Sequence, residues 1–432
     1  MNAIHGPGQY PAGSYYQASC LTQTWPESLL GQVEADVCVI GAGFTGLSAA
    51  LHLAQAGYSV VVLERDVPGF GASGRNGGQV GSGQRCDIPA LEKRFGRERA
   101  RVFWDLAEEA KNIVQQRIAD HNIDCDYQPG NLLAITKRRY LEDVHAQAQR
   151  LEHEYGYHRN ELLSRQQIRQ MVASDAYVGG CLDHGGGHLH PLKFAHGLAR
   201  AALAAGVRIF PHSPAEKIHW GRRNTVHTPR GQVRAEFLLL CGNAYLGDKL
   251  EPRLSGRVMP IVNHILATEP LGEQRARQII SNNCCVHSSK FVVDYYRFSA
   301  DHRLLFGGGE TYSERPPADL KAFVRGYMLR VFPQLADARI DYAWSGRLAI
   351  SFDRMPEFGR VGCNGFYAHG FSGHGVALTQ LAGRLLAEVV AGQAQRFDLY
   401  AAIRHRSFPG GTLLRHPLLV AGMLYYSLRD KF

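Results

Sequence analysis

The 432-residue chain offers little to hold it together covalently or to place it in a membrane. Its nine cysteines are odd in number and scattered, and no CxxC pair occurs. Cys284 and Cys285 are simply adjacent. A chain of this size can draw its stability from apolar cores, so reduced thiols and a cytoplasmic location are expected over a disulfide framework. No HExxH pattern and no carboxylate–histidine cluster occurs, and no metal is expected. His184, His188 and His190 come nearest, but their alternate spacing reads as one face of a strand. No apolar run approaches the ~18 residues of a spanning helix. The closest approach, residues 416–428 (HPLLVAGMLYYSL), reads as a docked C-terminal helix rather than a peripheral membrane contact. The opening MNAIHGPGQYPAGSYYQ has no basic segment followed by an apolar one, so a flexible lead-in is expected instead of a targeting peptide. Lysine is scarce as well, 9 against 39 arginines at a net charge of +9. The densest basic cluster, residues 94–101, is interrupted by Glu98 and sits in a helical stretch. No basic stripe interleaves with aromatics, which excludes nucleic acid as an expected partner.

What is present is an ordinary globular composition, 45% hydrophobic and 20% charged, in a chain longer than one core usually serves. Two domains are therefore expected. Residues 36–40 (DVCVI) read as a buried strand that runs into Gly41-Ala42-Gly43-Phe44-Thr45-Gly46, a GxGxxG pattern. A helix follows with Leu47, Ala50, Leu51 and Ala54 on one face, closed by Gly57. A second strand, residues 59–63 (SVVVL), ends at Glu64. In this context Gly41 permits the tight turn, Gly43 lets backbone amides approach a diphosphate, and Gly46 lets helix and strand pack closely. Glu64 is placed to accept from ribose hydroxyls. The unit alone suits NAD or FAD, and the acid at the strand end argues only against NADP.

The next stretch separates the two. Residues 69–79 (GFGASGRNGGQ) are too rich in glycine to continue as a regular helix and strand, but such a loop can lay its backbone against a flat ligand. Arg75 within it can pair with a phosphate or an electron-rich ring edge. Near the C-terminus, residues 369–376 (HGFSGHGV) join a strand at 366–368 to an amphipathic helix at 377–390. A helix N-terminus there would stabilise charge on a reduced flavin, with His374 adding a proton or positive charge.

Together these segments resemble the D-amino-acid oxidase superfamily of FAD-dependent oxidoreductases, the group containing glycine oxidase, sarcosine oxidase and D-amino-acid dehydrogenase. Further likeness lies in residues 182–191 (LDHGGGHLHP), in the helix 192–205 and strand 207–210 that follow, and in residues 236–244 (EFLLLCGNA). The combination of SYY, GNAYLGDK, DYYR, FSGHGV and the terminal YYSLRD is similar to a branch of that family acting in polyamine catabolism. The resemblance implies an α/β fold, α+β overall. It would have a Rossmann-like FAD-binding domain of glutathione-reductase type (residues 1–90, 151–250 and 341–432) and a discontinuous antiparallel-sheet substrate domain (91–150 and 251–340). It places contacts to non-covalent FAD at Gly41, Gly43, Phe44, Thr45, Gly46, Glu64, Arg65, Gly71, Ala72, Ser73, Arg75, Asn76, Gly77, Gly78, Ala215, Cys241, Gly242 and Gly346. The same set ends with Gly370, Phe371, Ser372, Gly373, His374, Gly375 and Val376.

Two departures bear on chemistry. In α-amino-acid members an arginine shortly after a W-x-G turn clamps the substrate carboxylate. Here the turn reads Trp344-Ser345-Gly346-Arg347-Leu348, with Leu348 at that place and Arg347 one position off. In sarcosine-oxidase relatives a cysteine near a D-x-x-P segment binds FAD covalently, and residues 353–357 (DRMPE) contain none. The implied activity is oxidation of the C–N bond of a small amine by hydride transfer to flavin, with O2 or a quinone as final acceptor. No acid–base residue is evident, and His374, Tyr295 and Arg297 are the candidates near the reacting centre. A glycine, sarcosine or D-amino-acid oxidase or dehydrogenase, an NAD-linked dehydrogenase, and a non-catalytic FAD-binding module remain alternatives.

Overall fold

The four apolar residues Val37, Cys38, Val39 and Ile40 form the inner half of a strand, β1 (Gly31–Ile40), and are buried on both faces, as the centre of a parallel sheet requires. α1 (Phe44–Gln55) follows, then β2 (Val60–Leu63), which pairs parallel with β1. Strand Gly231–Leu240 runs parallel along the whole other side of β1. The main path of this eight-stranded sheet is Glu357–Val361, Gly365–His369, Gly231–Leu240, β1, β2 and Arg208–Phe210. Helices α1 and Gly375–Val390 cross so closely that a Cβ on Gly383 would lie 2.5 Å from the Ala49 amide nitrogen. The computed structural model describes residues 13–247, 249–311, 317–408, 417 and 420. The expected helix at 416–428 therefore lies almost wholly outside the described residues.

A second sheet of nine strands stands beside the first. Its main path is Ile340–Ser351, Val258–Thr268, Leu304–Thr311, Tyr295–Phe298, Cys285–Ser288, Gln128–Ile135, Gly179–His188 and Gln79–Val80, and Asn160–Leu163 pairs on Gly179–His188. It is mostly antiparallel, but Cys285–Ser288 pairs parallel with Gln128–Ile135. Helix Leu320–Val331 covers it through Val324, Met328 and Val331.

The sheet membership corrects the boundaries drawn from sequence. Strands Gln79–Val80, Asn160–Leu163, Gly179–His188 and all but the first residue of Ile340–Ser351 fall in ranges assigned to the nucleotide-binding domain but hydrogen-bond into the second sheet. The glycines of Gly179–His188 occur where neighbours crowd the strand. A Cβ on Gly187 would lie 2.5 Å from the Gln128 carbonyl oxygen. His188 and His190 are buried, with His190 capping helix Pro191–Ala204, while His184 is exposed and bonded to Glu161. Among the described residues no group of three or more His, Cys, Asp or Glu is placed to hold a metal ion, and no single helix is long and apolar enough to cross a membrane.

Candidate functional site

The three glycines of the first turn act differently. Gly41 has φ +105°, and a Cβ on it would lie 3.1 Å from the Cys241 carbonyl oxygen, so turn and sheet both require glycine. A Cβ on Gly46 would sit 1.9 Å from the Gly41 carbonyl oxygen, which makes it the packing glycine. Gly43 caps α1 in extended conformation, and a Cβ there would come 3.0 Å from Ser73 Oγ. That hydroxyl accepts the Phe44 N–H at 2.9 Å. The amides of Gly43 and Thr45, at the start of α1, have no intrahelical acceptor. Both residues line an open cleft of about 350 Å³ at the carboxyl ends of the parallel strands. Glu64 lines it too. Its Oε2 accepts the Ala42 N–H at 2.7 Å and its Oε1 the Asp66 N–H at 3.0 Å, while burial raises its carboxyl pKa. A glycine cradle at a helix start, a carboxylate held beside it and an apolar wall fit a dinucleotide.

The second glycine loop is fixed by its carbonyls. That of Arg75 accepts from Trp344 Nε1 at 3.0 Å, that of Asn76 from the Tyr16 hydroxyl at 2.8 Å, that of Gly77 from Arg297 Nε at 2.8 Å, and that of Gly78 from the Leu189 N–H at 2.9 Å. Four consecutive carbonyls thus point into protein. The Asn76 side chain knits the loop internally, donating to the Ala72 and Ser73 carbonyls and accepting the Gly78 N–H at 2.7 Å.

Of the residues expected around the cofactor, Gly41, Gly43, Phe44, Thr45, Glu64, Arg65, Gly71, Ala72, Ser73, Asn76, Ala215, Cys241, Gly242, Phe371, Ser372, Gly373, Gly375 and Val376 line the cleft. Gly46, Arg75, Gly77, Gly78, Gly346, Gly370 and His374 are not part of that lining. Gly77 lies under the Tyr295 ring, with 2.7 Å between a built Cβ and Cε2, and Gly346 backs onto the Arg75 side chain. Gly370, at φ +75°, donates its N–H to Asn243 Oδ1 at 3.0 Å. Arg75 turns inward. Its Nε donates to the Phe70 carbonyl at 2.7 Å, its guanidinium lies 4.5 Å from the Phe70 ring centroid, and burial lowers its pKa. Arg75, expected to pair with a phosphate or an electron-rich ring edge, lies outside the cleft lining with only Nη2 left unpaired.

The three candidates for the reacting centre are also engaged. Arg297 is 3% exposed and donates to the Gly77 and Phe298 carbonyls and to the Tyr16 hydroxyl. Its donors brace the loop and offer no open fork to a substrate. The Tyr295 hydroxyl donates to Asn263 Oδ1 at 2.5 Å. His374 Nε2 lies 3.1 Å from the Gly83 carbonyl, and burial with nearby Arg85 lowers its pKa to about 4. Burial favours a neutral ring donating to that carbonyl, so of the proton or positive charge expected of His374 this geometry gives the charge no support.

Asn243, Tyr245, Arg347, Leu348 and Ala349 stand in the cleft wall but are not among the cofactor contacts expected from sequence, where Arg347 and Leu348 are read only for a substrate clamp. Asn243 carried a faint signal, since a non-glycine residue at φ +46° just after a strand end favours Asn.

A βαβ turn with a carboxylate at its second strand, a second loop pinned by its carbonyls, and a cleft between two sheets define a dinucleotide-dependent oxidoreductase of the flavoprotein class. Residues 36–389 match the family model DAO, described as FAD dependent oxidoreductase. The chain is 46% identical over 418 residues to gamma-glutamylputrescine oxidoreductase of Escherichia coli (strain K12), covering 97% of this chain and 98% of that one. It is 39% identical to the probable oxidoreductase OrdL of Haemophilus influenzae, covering 93% and 94%. Among solved structures, glycine oxidase from Geobacillus kaustophilus superposes with a TM-score of 0.73 at 20% identity, over 87% of this chain and 100% of that chain. The chain belongs to the DAO family and is an FAD-dependent oxidoreductase of amine C–N bonds.

Proposed function

We propose that the substrate is a monoacylated diamine of the γ-glutamylputrescine type, oxidised at the carbon bearing its free primary amine. The observation that carries this reading is the near full-length identity of 46% to an enzyme named for that substrate. The site supports it in a second way. By resemblance Leu348 stands where α-amino-acid members carry a carboxylate-binding arginine. Arg347, the cleft guanidinium without a partner among the described residues, is one position off and so starts from the opposite face of its strand, while Arg297 is engaged by backbone carbonyls and Arg75 is turned into the wall. A buried carboxylate without a cationic partner costs several kcal/mol, about 3–5 when a pair is broken.

Bound FAD would supply the acceptor for a hydride from the carbon next to a neutral amine. The resulting iminium takes up water and releases ammonium, leaving an aldehyde. The protein's contribution is orientation and exclusion of water, because no side chain is required as a base once the amine binds unprotonated. Gly43, Thr45, Glu64 and Ser73 would hold FAD non-covalently, with the loop 75–78 and the segment 371–376 around its ring system. O2 or a quinone would be the final electron acceptor, and the cytoplasm the expected location. Anaerobic bleaching of the flavin by a panel of amines tests the reading. γ-Glutamylputrescine should bleach faster than putrescine, glycine, sarcosine or D-alanine, and faster bleaching by glycine, sarcosine or D-alanine would overturn it.

A further inference from the structure

Three arginines stand in or beside the cofactor cleft, and of these only Arg347 makes no side-chain hydrogen bond or ion pair among the described residues, Arg75 keeping just Nη2 unpaired inside the wall. Arg65 is tied to Asp66 at 2.9 Å and its side chain is 53% exposed. Arg75 is buried in the wall on the Phe70 carbonyl. Arg347 lines the cleft, and no hydrogen bond or ion pair joins its guanidinium to another described residue. Its backbone, in contrast, is fixed. The Arg347 N–H donates to the Tyr245 hydroxyl at 3.1 Å. The Tyr245 ring lies over Gly71, where a built Cβ would stand 3.4 Å from both Cδ2 and Cε2. Gly71 begins the short turn that carries Ser73, whose hydroxyl accepts the Phe44 N–H at the start of α1. A continuous set of contacts therefore runs from the helix start through Ser73, Gly71 and Tyr245 to Arg347.

We propose that Arg347 and Tyr245 form a clasp over the diphosphate of FAD, with the guanidinium as its principal cationic partner. The start of α1 supplies about half a unit of positive charge, less than a diphosphate carries in negative charge. A guanidinium adds a full charge and a planar fork matched to phosphate oxygens. Tyr245 fixes where that fork begins, because its hydroxyl holds the backbone of Arg347 while its ring closes on the loop below. The assignment is independent of which amine is oxidised.

The test is titration of the apoprotein with FAD and with riboflavin, followed by flavin fluorescence at low and high salt. Arg347→Leu should weaken FAD binding about tenfold or more and flatten its salt dependence, because a charged contact is lost. Riboflavin, which has no phosphate, should bind the variant as it binds the parent. Arg347→Lys should recover part of the FAD affinity, as a point charge without the fork. Tyr245→Phe should speed FAD release while the melting temperature of the apoprotein stays unchanged. FAD affinity within twofold of the parent in Arg347→Leu would overturn the proposal. So would equal losses for both flavins, which would make Arg347 a wall residue. A raised KM for the amine with unchanged FAD affinity would also overturn it, by moving Arg347 to the substrate site.

Discussion

Arg297 Nε donates to the Gly77 carbonyl across 220 residues of sequence, tying the second sheet to the loop that follows the dinucleotide turn. Arg297 is 3% exposed, so removing it strands several buried acceptors. Arg297→Met should destabilise the holoenzyme by about 2–4 kcal/mol, from unsatisfied carbonyls at about 1–3 kcal/mol each. Thermal melts and flavin release on dilution would show it. A variant of parental stability with a raised KM would return Arg297 to the substrate site.

The first glycine turn should separate binding from folding. Gly43→Val places branched bulk where a Cβ alone already reaches 3.0 Å from Ser73 Oγ, so folded but colourless protein is expected. Gly46→Ala would drive its methyl to 1.9 Å from the Gly41 carbonyl, so loss of soluble protein is expected. Visible absorbance and solubility after expression decide both. A yellow Gly43→Val protein with full flavin content would refute the role of that turn.

Stability should fall on mild acidification. Burial lowers the pKa of His188 to about 3 and that of His264, His287 and His374 to about 4. Each is neutral in the folded protein, whereas its unfolded counterpart protonates below about pH 6.5. Stability present above pH 6.5 is therefore lost as pH falls toward 4, by up to about 1.4 kcal/mol per pH unit for each histidine. The melting temperature should drop steeply between pH 6.5 and 5. A flat profile there would contradict the neutral assignments.

Thiol chemistry should be confined to the surface. Cys363 is exposed, whereas Cys241 and Cys284 are buried, and burial pushes both thiols up to about 12. A thiolate reagent should modify Cys363 first in the native protein and all nine cysteines only after denaturation. Rapid native labelling of Cys241 would show that the cleft wall opens.

The sequence by itself determined the parallel sheet and its first turn. Apolar runs at 37–40 and 60–63 flank a helix-length amphipathic segment, and the positive φ of Gly41 and the approach of Gly46 to the Gly41 carbonyl are local reasons for glycine. Glu64 was legible for the same reason, as an acid at a strand end a fixed number of residues beyond the turn. The tertiary structure alone decided what the charged side chains do. Arg75 and Arg347 look interchangeable in a one-dimensional reading, yet the Phe70 carbonyl draws one inward while the Tyr245 hydroxyl sets the other facing the cleft. Arg297 and His374 read as chemistry until their acceptors, the carbonyls of Gly77 and Gly83, are found 220 and 291 positions away. Sheet membership of 160–163 and 179–188 was hidden likewise, because pairing is chosen by partners distant in the chain. Hydrophobic period and turn chemistry are local and survive in the string of residues. The direction of a guanidinium and the charge of an imidazole depend on which buried acceptors and how little water surround them, and only the folded chain specifies those.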